Sequence, residues 1–262
     1  VQVPQANETA EIQASLEIEG LTNLQKAEDG LIALTQTSSP AISLISSSLQ
    51  TTTPFSLSRE NYPLGSVIDI SYYNNTLDML TSSGEITKFT RTDSTLNQTF
   101  ETITKSLLYP DLEGESITHI SHHNDIMYIS ATNGVYKLNL TTQNYQKVLN
   151  ITDVTGLSYN GTNAYVLSGT NTLFVLPQTG EIETEYFSLS FSGIASSETC
   201  AYLSSKATHQ VFEYNGASLK DMQINKTISP HLFDSEDFLY LQTASNTSLY
   251  LQPYSVNPML TV

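Results

Sequence analysis

Six positions along this chain share one register, and no other feature of the sequence limits its fold as strongly. When the third residue of each short β-like run is aligned, the column reads Asn23, Asp69, His119, Gly156, Gly193 and His231, with successive spacings of 46, 50, 37, 37 and 38 residues. Nine residues after five of these positions come Ile32, Tyr128, Tyr165, Tyr202 and Tyr240; in the second repeat an apolar counterpart falls ten residues on, at Met79. A self-similar period of this length marks an architecture in which each unit buries its apolar faces against its neighbours.

The unit is clearest from Val154 to Leu189. Val154–Ser158, Ala164–Ser168, Leu173–Leu176 and Ile182–Leu189 are strand-length runs rich in β-branched and aromatic residues, separated by turns such as Asn160-Gly161-Thr162 and Gln178–Gly180. Four antiparallel strands in 36 residues make one propeller blade. The same division places further blades at 21–58, Val67–Thr104, Ile117–Thr152, Phe191–Asn225 and Ile228–Val262. The expectation is an all-β fold, a six-bladed β-propeller of four-stranded antiparallel blades over residues 21–262, with an extra N-terminal strand within residues 1–20. In that leading segment Ile12, Ala14, Leu16 and Ile18 alternate with polar residues, as a half-buried strand does. An open ring leaves unpaired edges, so this strand either closes the ring beside Pro258–Val262 or is donated to a neighbouring subunit.

Residues 156–176, GLSYNGTNAYVLSGTNTLFVL, resemble the YVTN-type repeats of bacterial and archaeal surface-layer propellers. In those repeats an Asn-Gly turn precedes an Ala-Tyr-Val strand, and a strand opening on Asn-Thr follows. Residues 193–214, GIASSETCAYLSSKATHQVFEY, keep the Ala-Tyr strand and lose the turn. The resemblance covers blades four and five and implies a secreted or surface-exposed propeller used for recognition or structure, seldom an enzyme. The chain has no Trp, which excludes the WD-dipeptide repeats.

Charge narrows the partners. Ten Lys and Arg stand against 26 Asp and Glu, a net charge of −16, and the basic residues do not cluster. Nucleic acid and anionic membranes need clustered cations, so both are poor partners. No apolar run reaches the 18 residues of a spanning helix. Only 14% of residues are charged, against about 25% in ordinary soluble domains, and Ser, Thr, Asn and Gln fill the difference. That surface, and a chain opening on Val1 as after removal of a signal peptide, suit an extracellular or cell-surface location. Eight N-x-S/T sequons, at Asn7, Asn74, Asn97, Asn139, Asn150, Asn160, Asn225 and Asn246, offer sites for covalent N-glycans. Cys200 is the single cysteine, so no intrachain disulfide forms, and a buried, inert thiol is expected.

Candidate chemistry is confined to the inner ring of Asn23, Asp69, His119 and His231. Imidazole and carboxylate together can hold a transition metal or move protons, but inner-strand side chains also serve to join blades. His122, His123 and Asp125 are expected in a solvated turn. Glu181, Glu183 and Glu185 alternate along an outer strand, as a charged edge that discourages aggregation, or as calcium ligands if a neighbour supplies more. No nucleophile elbow or phosphate-binding glycine loop occurs. The expectation is therefore no catalytic residue, no resident metal and no cofactor. The chain reads as a glycosylated structural or adhesive module of a filament, surface layer or adhesin, working through protein–protein or protein–glycan contacts with other copies of itself or another surface protein. The alternative is a six-bladed hydrolase or lyase with its site at the channel mouth.

Overall fold

The computed structural model describes residues 16–36, 41–46, 52–57, 67–93, 95–103, 112, 114–205, 207–224, 227–234, 238–245 and 248–255. A short strand, β1 (Leu16–Glu17), comes first. Blade one is β2 (Leu21–Ala27), β3 (Gly30–Thr35), β4 (Ala41–Ser46) and β5 (Thr52–Pro54). A two-residue strand, β6 (Ser56–Leu57), leads to blade two: β7 (Val67–Tyr73), β8 (Thr76–Thr81), β9 (Ile86–Thr92) and β10 (Thr95–Ile103). Blade three is β11 (Ile117–His123), β12 (Ile126–Ala131), β13 (Gly134–Asn139) and β14 (Tyr145–Leu149). Blade four is β15 (Val154–Tyr159), β16 (Asn163–Ser168), β17 (Thr172–Pro177) and β18 (Glu183–Tyr186). Blade five is β19 (Gly193–Ser196), β20 (Ala201–Ser205), β21 (Gln210–Tyr214) and β22 (Leu219–Asp221). The last run supplies β23 (Thr227–Asp234), β24 (Phe238–Ser245) and β25 (Ser248–Ser255). The innermost strands β2, β7, β11, β15, β19 and β23 pack each on the next, and β23 returns to β2.

Strand pairing corrects the expected blade count. Five blades, not six, are each built from one contiguous run of four strands. The closing sheet takes only β23, β24 and β25 from the C-terminal run. Its fourth strand is β1, antiparallel to β25 with Leu16 opposite Leu251 and Glu17 opposite Tyr250. The N-terminal strand is thus no extra element. Nor are all blades four-stranded: β6 lies parallel to β10 and makes the second sheet five strands wide. Blade one, expected to run to residue 58, ends sooner for the same reason, since the chain leaves β5 at Phe55 and crosses to the next blade. A two- or three-residue strand carries too little side-chain pattern to reveal which edge it joins. The proposed final strand, Pro258–Val262, lies outside the described residues, as do Ile12 and Ala14 of the leading segment.

The aligned column has a local cause. In β2, β7, β11 and β15 the register with the second strand shifts just before Asn23, Asp69, His119 and Gly156. Such a bulge increases the local twist, which a strand on the propeller axis needs. Three bulged residues are threonines whose hydroxyls donate across the pair: Thr22 to the Leu34 carbonyl at 3.2 Å, Thr118 to that of Ser130 at 3.5 Å and Thr155 to that of Leu167 at 3.4 Å. Ser192 does the same in blade five, toward Ser204 at 3.4 Å. Ile68 replaces the hydroxyl in blade two and is 45% exposed.

Apolar residues fill the seams between blades. Ile32, Leu77, Met79 and Phe89 join blades one and two; Tyr128, Tyr159 and Val166 join three and four; Tyr165, Leu203, Phe212 and Tyr214 join four and five. Gly156 sets the spacing of blades four and five, because a Cβ there would stand 2.7 Å from Cγ2 of Ile194. Gly156→Ala is expected to destabilise the fold by about 1–3 kcal/mol, as overpacking does. Urea denaturation checks this, and Ile194→Ala in the same chain should recover part of the loss. Equal stability of Gly156→Ala and the native chain would show that the seam yields.

Candidate functional site

The inner strands line a channel cavity of about 1100 Å³, whose walls include Asn23, Asp69, His119, Ser158 and Ser196. The structure brings three of the four expected ring residues together, Asn23, Asp69 and His119. The fourth, His231, lies on β23 at the register shift between Pro230 and Leu232, and its side chain is outside the described residues. Gly156 serves close packing, and Gly193 opens β19.

Asp69 is tied to three blades. Its Oδ1 accepts the Ile70 N–H at 2.9 Å and the Asn23 side-chain amide from blade one. Its Oδ2 accepts the Ile120 N–H of blade three at 2.8 Å. Burial pushes its carboxyl up to about 7, outweighing these three hydrogen bonds, which pull the other way. His119 is pushed down to about 4 by burial, and its Nδ1 lies 3.1 Å from both the Thr118 and Ser130 hydroxyls.

Serines two positions beyond the column repeat the same device. Ser71 accepts the His122 N–H at 2.8 Å, Ser121 accepts the Tyr159 N–H at 2.8 Å, and the Ser158 and Ser196 hydroxyls meet at 2.7 Å. Each bond runs from one blade to the next. Asp-Ile-Ser, His-Ile-Ser and Gly-Leu-Ser at 69–71, 119–121 and 156–158 carried that signal in the sequence.

Sequence reading missed the pair Asp78–His122. Asp78 is nine residues beyond Asp69 and pairs with Ser71, just as Tyr128 pairs with Ser121 and Tyr165 with Ser158. The second repeat therefore keeps the nine-residue count, with a carboxylate where its neighbours carry a tyrosine; choosing the apolar Met79 hid this. Asp78 is fully buried, with Oδ2 2.7 Å from His122 Nδ1, while His122 Nε2 is 2.5 Å from the Asn124 carbonyl. His122 and His123 were expected in a solvated turn, and this is corrected: both end β11, and His122 is buried because Asp78 on blade two receives it. His123 stacks on Tyr73, ring centroids 4.2 Å apart, over Gly161, where a Cβ would collide with the imidazole.

A second clasp also escaped the sequence. Arg91 donates from Nη1 and Nη2 to the two Asp29 oxygens, each at 2.7 Å, so blade two grips the β2–β3 turn of blade one. Its guanidinium lies 5.5 Å from the Phe55 ring centroid, and the hydrogen bond from Arg91 holds the Asp29 carboxyl below its usual range. Cys200 is buried just before β20, with Sγ 3.1 Å from the Ser197 hydroxyl. Among the described residues no three His, Cys, Asp or Glu are grouped to hold a metal, and no helix is long and apolar enough to cross a membrane.

The sequons occupy different surroundings. Asn74, in the β7–β8 turn, and Asn150, after β14, are exposed. Asn139 is half-buried and accepts the Thr142 N–H at 2.8 Å. Asn160 caps its own turn through the Thr162 and Asn163 N–H groups at 2.9 and 2.8 Å, and its amide nitrogen donates to the Ser197 carbonyl at 2.6 Å. Asn97 lies on β10; Asn7, Asn225 and Asn246 are outside the described residues.

No protein-family model matches the chain, and no curated protein sequence does. Solved structures match its shape. The β-propeller domain of Swd1 from Myceliophteria thermophila gives a TM-score of 0.63 at 11% identity, over 94% of this chain and 99% of that one. BamB from Moraxella catarrhalis gives 0.55 at 12% identity, over 94% and 100%. YCF48 bound to D1 peptide gives 0.58 at 9% identity, over 98% of each. Identity this low shows the fold alone, and that fold is the β-propeller.

The two perturbed channel groups have opposite linkage to pH. Asp69, raised from 3.8 to about 7, contributes stability that is complete below 3.8 and lost as pH rises through about 7. His119, lowered from 6.5 to about 4, contributes stability that is complete above 6.5 and lost as pH falls through about 4. The two slopes, roughly 1.4 kcal/mol per pH unit each, oppose one another across the shared window. Relative to the native chain, Asp69→Asn should therefore gain stability as pH rises from about 4 to 6.5, and His119→Gln should lose it. Urea unfolding across that range checks both signs, and parallel profiles for all three proteins would refute the assignment.

Proposed function

We propose that this chain is an extracellular, N-glycosylated β-propeller that serves as a recognition or structural module in a cell-surface assembly and not as a catalyst. One observation carries the reading: the acid–base groups of the channel are held in hydrogen bonds within and between blades. Asp69 accepts three N–H donors, His119 lies between two hydroxyls, and His122 is held by Asp78. A general acid or base must be free to reach a substrate proton. The hydrolase or lyase reading therefore lacks support.

Other features favour the same reading. The YVTN-type resemblance of residues 156–176 points to surface propellers. Among the structural neighbours, one belongs to a mitotic checkpoint complex and another is bound to a peptide. The low charge density and exposed sequons suit a secreted surface, and the partner is another surface protein, its glycans, or another copy of this chain.

Mass spectrometry of natively produced protein before and after glycosidase treatment tests this directly. The expected result is glycan at Asn74 and Asn150, with Asn160 unmodified because its amide nitrogen is already committed. Negative-stain images of the same material should show the propeller within larger ordered assemblies. Unmodified Asn74 and Asn150 together with isolated particles would contradict the reading.

A further inference from the structure

β18 is the outer edge of blade four, bonded to β17 on one side and to no strand on the other among the described residues. Its cross-strand partners place Glu183 beside Val175 and Glu185 beside Leu173, on the face that packs against blade five. Under these carboxylates lies Tyr214 of β21, 2% exposed, whose hydroxyl faces Glu185 and Glu183. Burial first, and then the charges of Glu185 and Glu183, push this phenol up to about 12. On the other face of the same segment, Ile182 is 44% and Tyr186 76% exposed. Glu181, Glu183 and Glu185 form no ion pair among the described residues.

A charged edge that merely repels other sheets accounts for the glutamates. It does not account for two exposed apolar side chains beside them. The backbone is also set for pairing. The Phe187 N–H bonds the Asn171 carbonyl at 2.9 Å, so by alternation Glu183 and Glu185 spend their N–H groups on β17, while Thr184 and Tyr186 turn theirs outward. Elsewhere in the molecule the outer edge of blade two already accepts a fifth strand, β6 on β10. Charge selects the occupant. A second copy would bring its own −16 and the same glutamates, whereas a strand with cations at alternate positions matches Glu183 and Glu185.

We propose that β18 is a docking edge for an extended basic segment of a partner protein, which adds to blade four as a fifth strand. Its Lys or Arg side chains meet Glu183 and Glu185 over Tyr214, and its intervening apolar residues cover Tyr186 and Ile182. This surface is separate from the channel and goes beyond the role proposed above; it stands or falls without the glycans.

The probe is a short synthetic peptide of alternating Lys and Val, with an alternating Glu and Val peptide as control, titrated into the full chain by calorimetry and amide NMR. The Lys peptide should bind, weaken with added salt, and slow hydrogen exchange at the Thr184 and Tyr186 amides. The double variant Glu183→Gln/Glu185→Gln should bind at least about tenfold more weakly. Thr184→Pro removes one outward N–H without touching the β17 ladder and should abolish binding. The proposal is overturned if the Lys peptide does not bind, if the Glu peptide binds equally well, if the Gln double variant binds as the native chain does, or if the amide changes fall in the channel around His123 instead.

Discussion

A propeller's innermost strand is a sheet edge, and its backbone donors on that side have no partner in their own blade. Burying such an N–H without an acceptor costs about 1–3 kcal/mol, so the fold must supply one. Here the preceding blade does. Asp69 and Ser71 accept from Ile120 and His122, and Ser121 accepts from Tyr159. These bonds fix the angle between neighbouring blades as well as satisfying the edge, and the bulge just before Asn23, Asp69, His119 and Gly156 twists the strand into place. Fold and channel chemistry are thus two views of one requirement.

That requirement explains why polar side chains gather in the channel. A carboxylate bridging three blades contributes through its bonds and opposes folding through its burial, and for Asp69 burial wins. Asp78 meets the same difficulty in the seam, where His122 satisfies one oxygen and the other has no partner among the described residues. Arg91 solves a related problem at the rim, gripping Asp29 while its guanidinium rests over Phe55. Blades one to three add such polar clasps to their apolar seams. Blades four and five rely more on aromatic packing, with Phe187, Phe191, Phe212 and Tyr214 in edge-to-face contact.

How much of this was legible depended on whether the information was local. Blade four was expected at Ala164–Ser168 and Leu173–Leu176 and is found at Asn163–Ser168 and Thr172–Pro177, because an Asn-Gly turn and strand-like alternation are properties of a few adjacent residues. The column of Asn23, Asp69 and His119 was legible for a similar reason, since a repeated bulge imposes a repeated spacing. What stayed hidden was pairing between distant edges. Ser56–Leu57 widens the second sheet without enough pattern of its own to say so, and the alternation around Leu16 left two edges open to it, of which it pairs with β25. His122 looked solvated because its sequence neighbours are polar; its partner, Asp78, is 44 residues away. The third residue of Asp-Ile-Ser and His-Ile-Ser was visible throughout, but its meaning needs the next blade.

The account's central claim is that the channel side chains act as acceptors for the neighbouring blade's backbone. Native-state hydrogen exchange at Ile120, His122 and Tyr159 tests it most directly. The account predicts protection close to that of the blade cores at all three amides, with Ser121→Ala selectively releasing Tyr159. Rapid exchange at these amides in the native chain, or an unchanged Tyr159 in Ser121→Ala, would show that the blades are held together by something else.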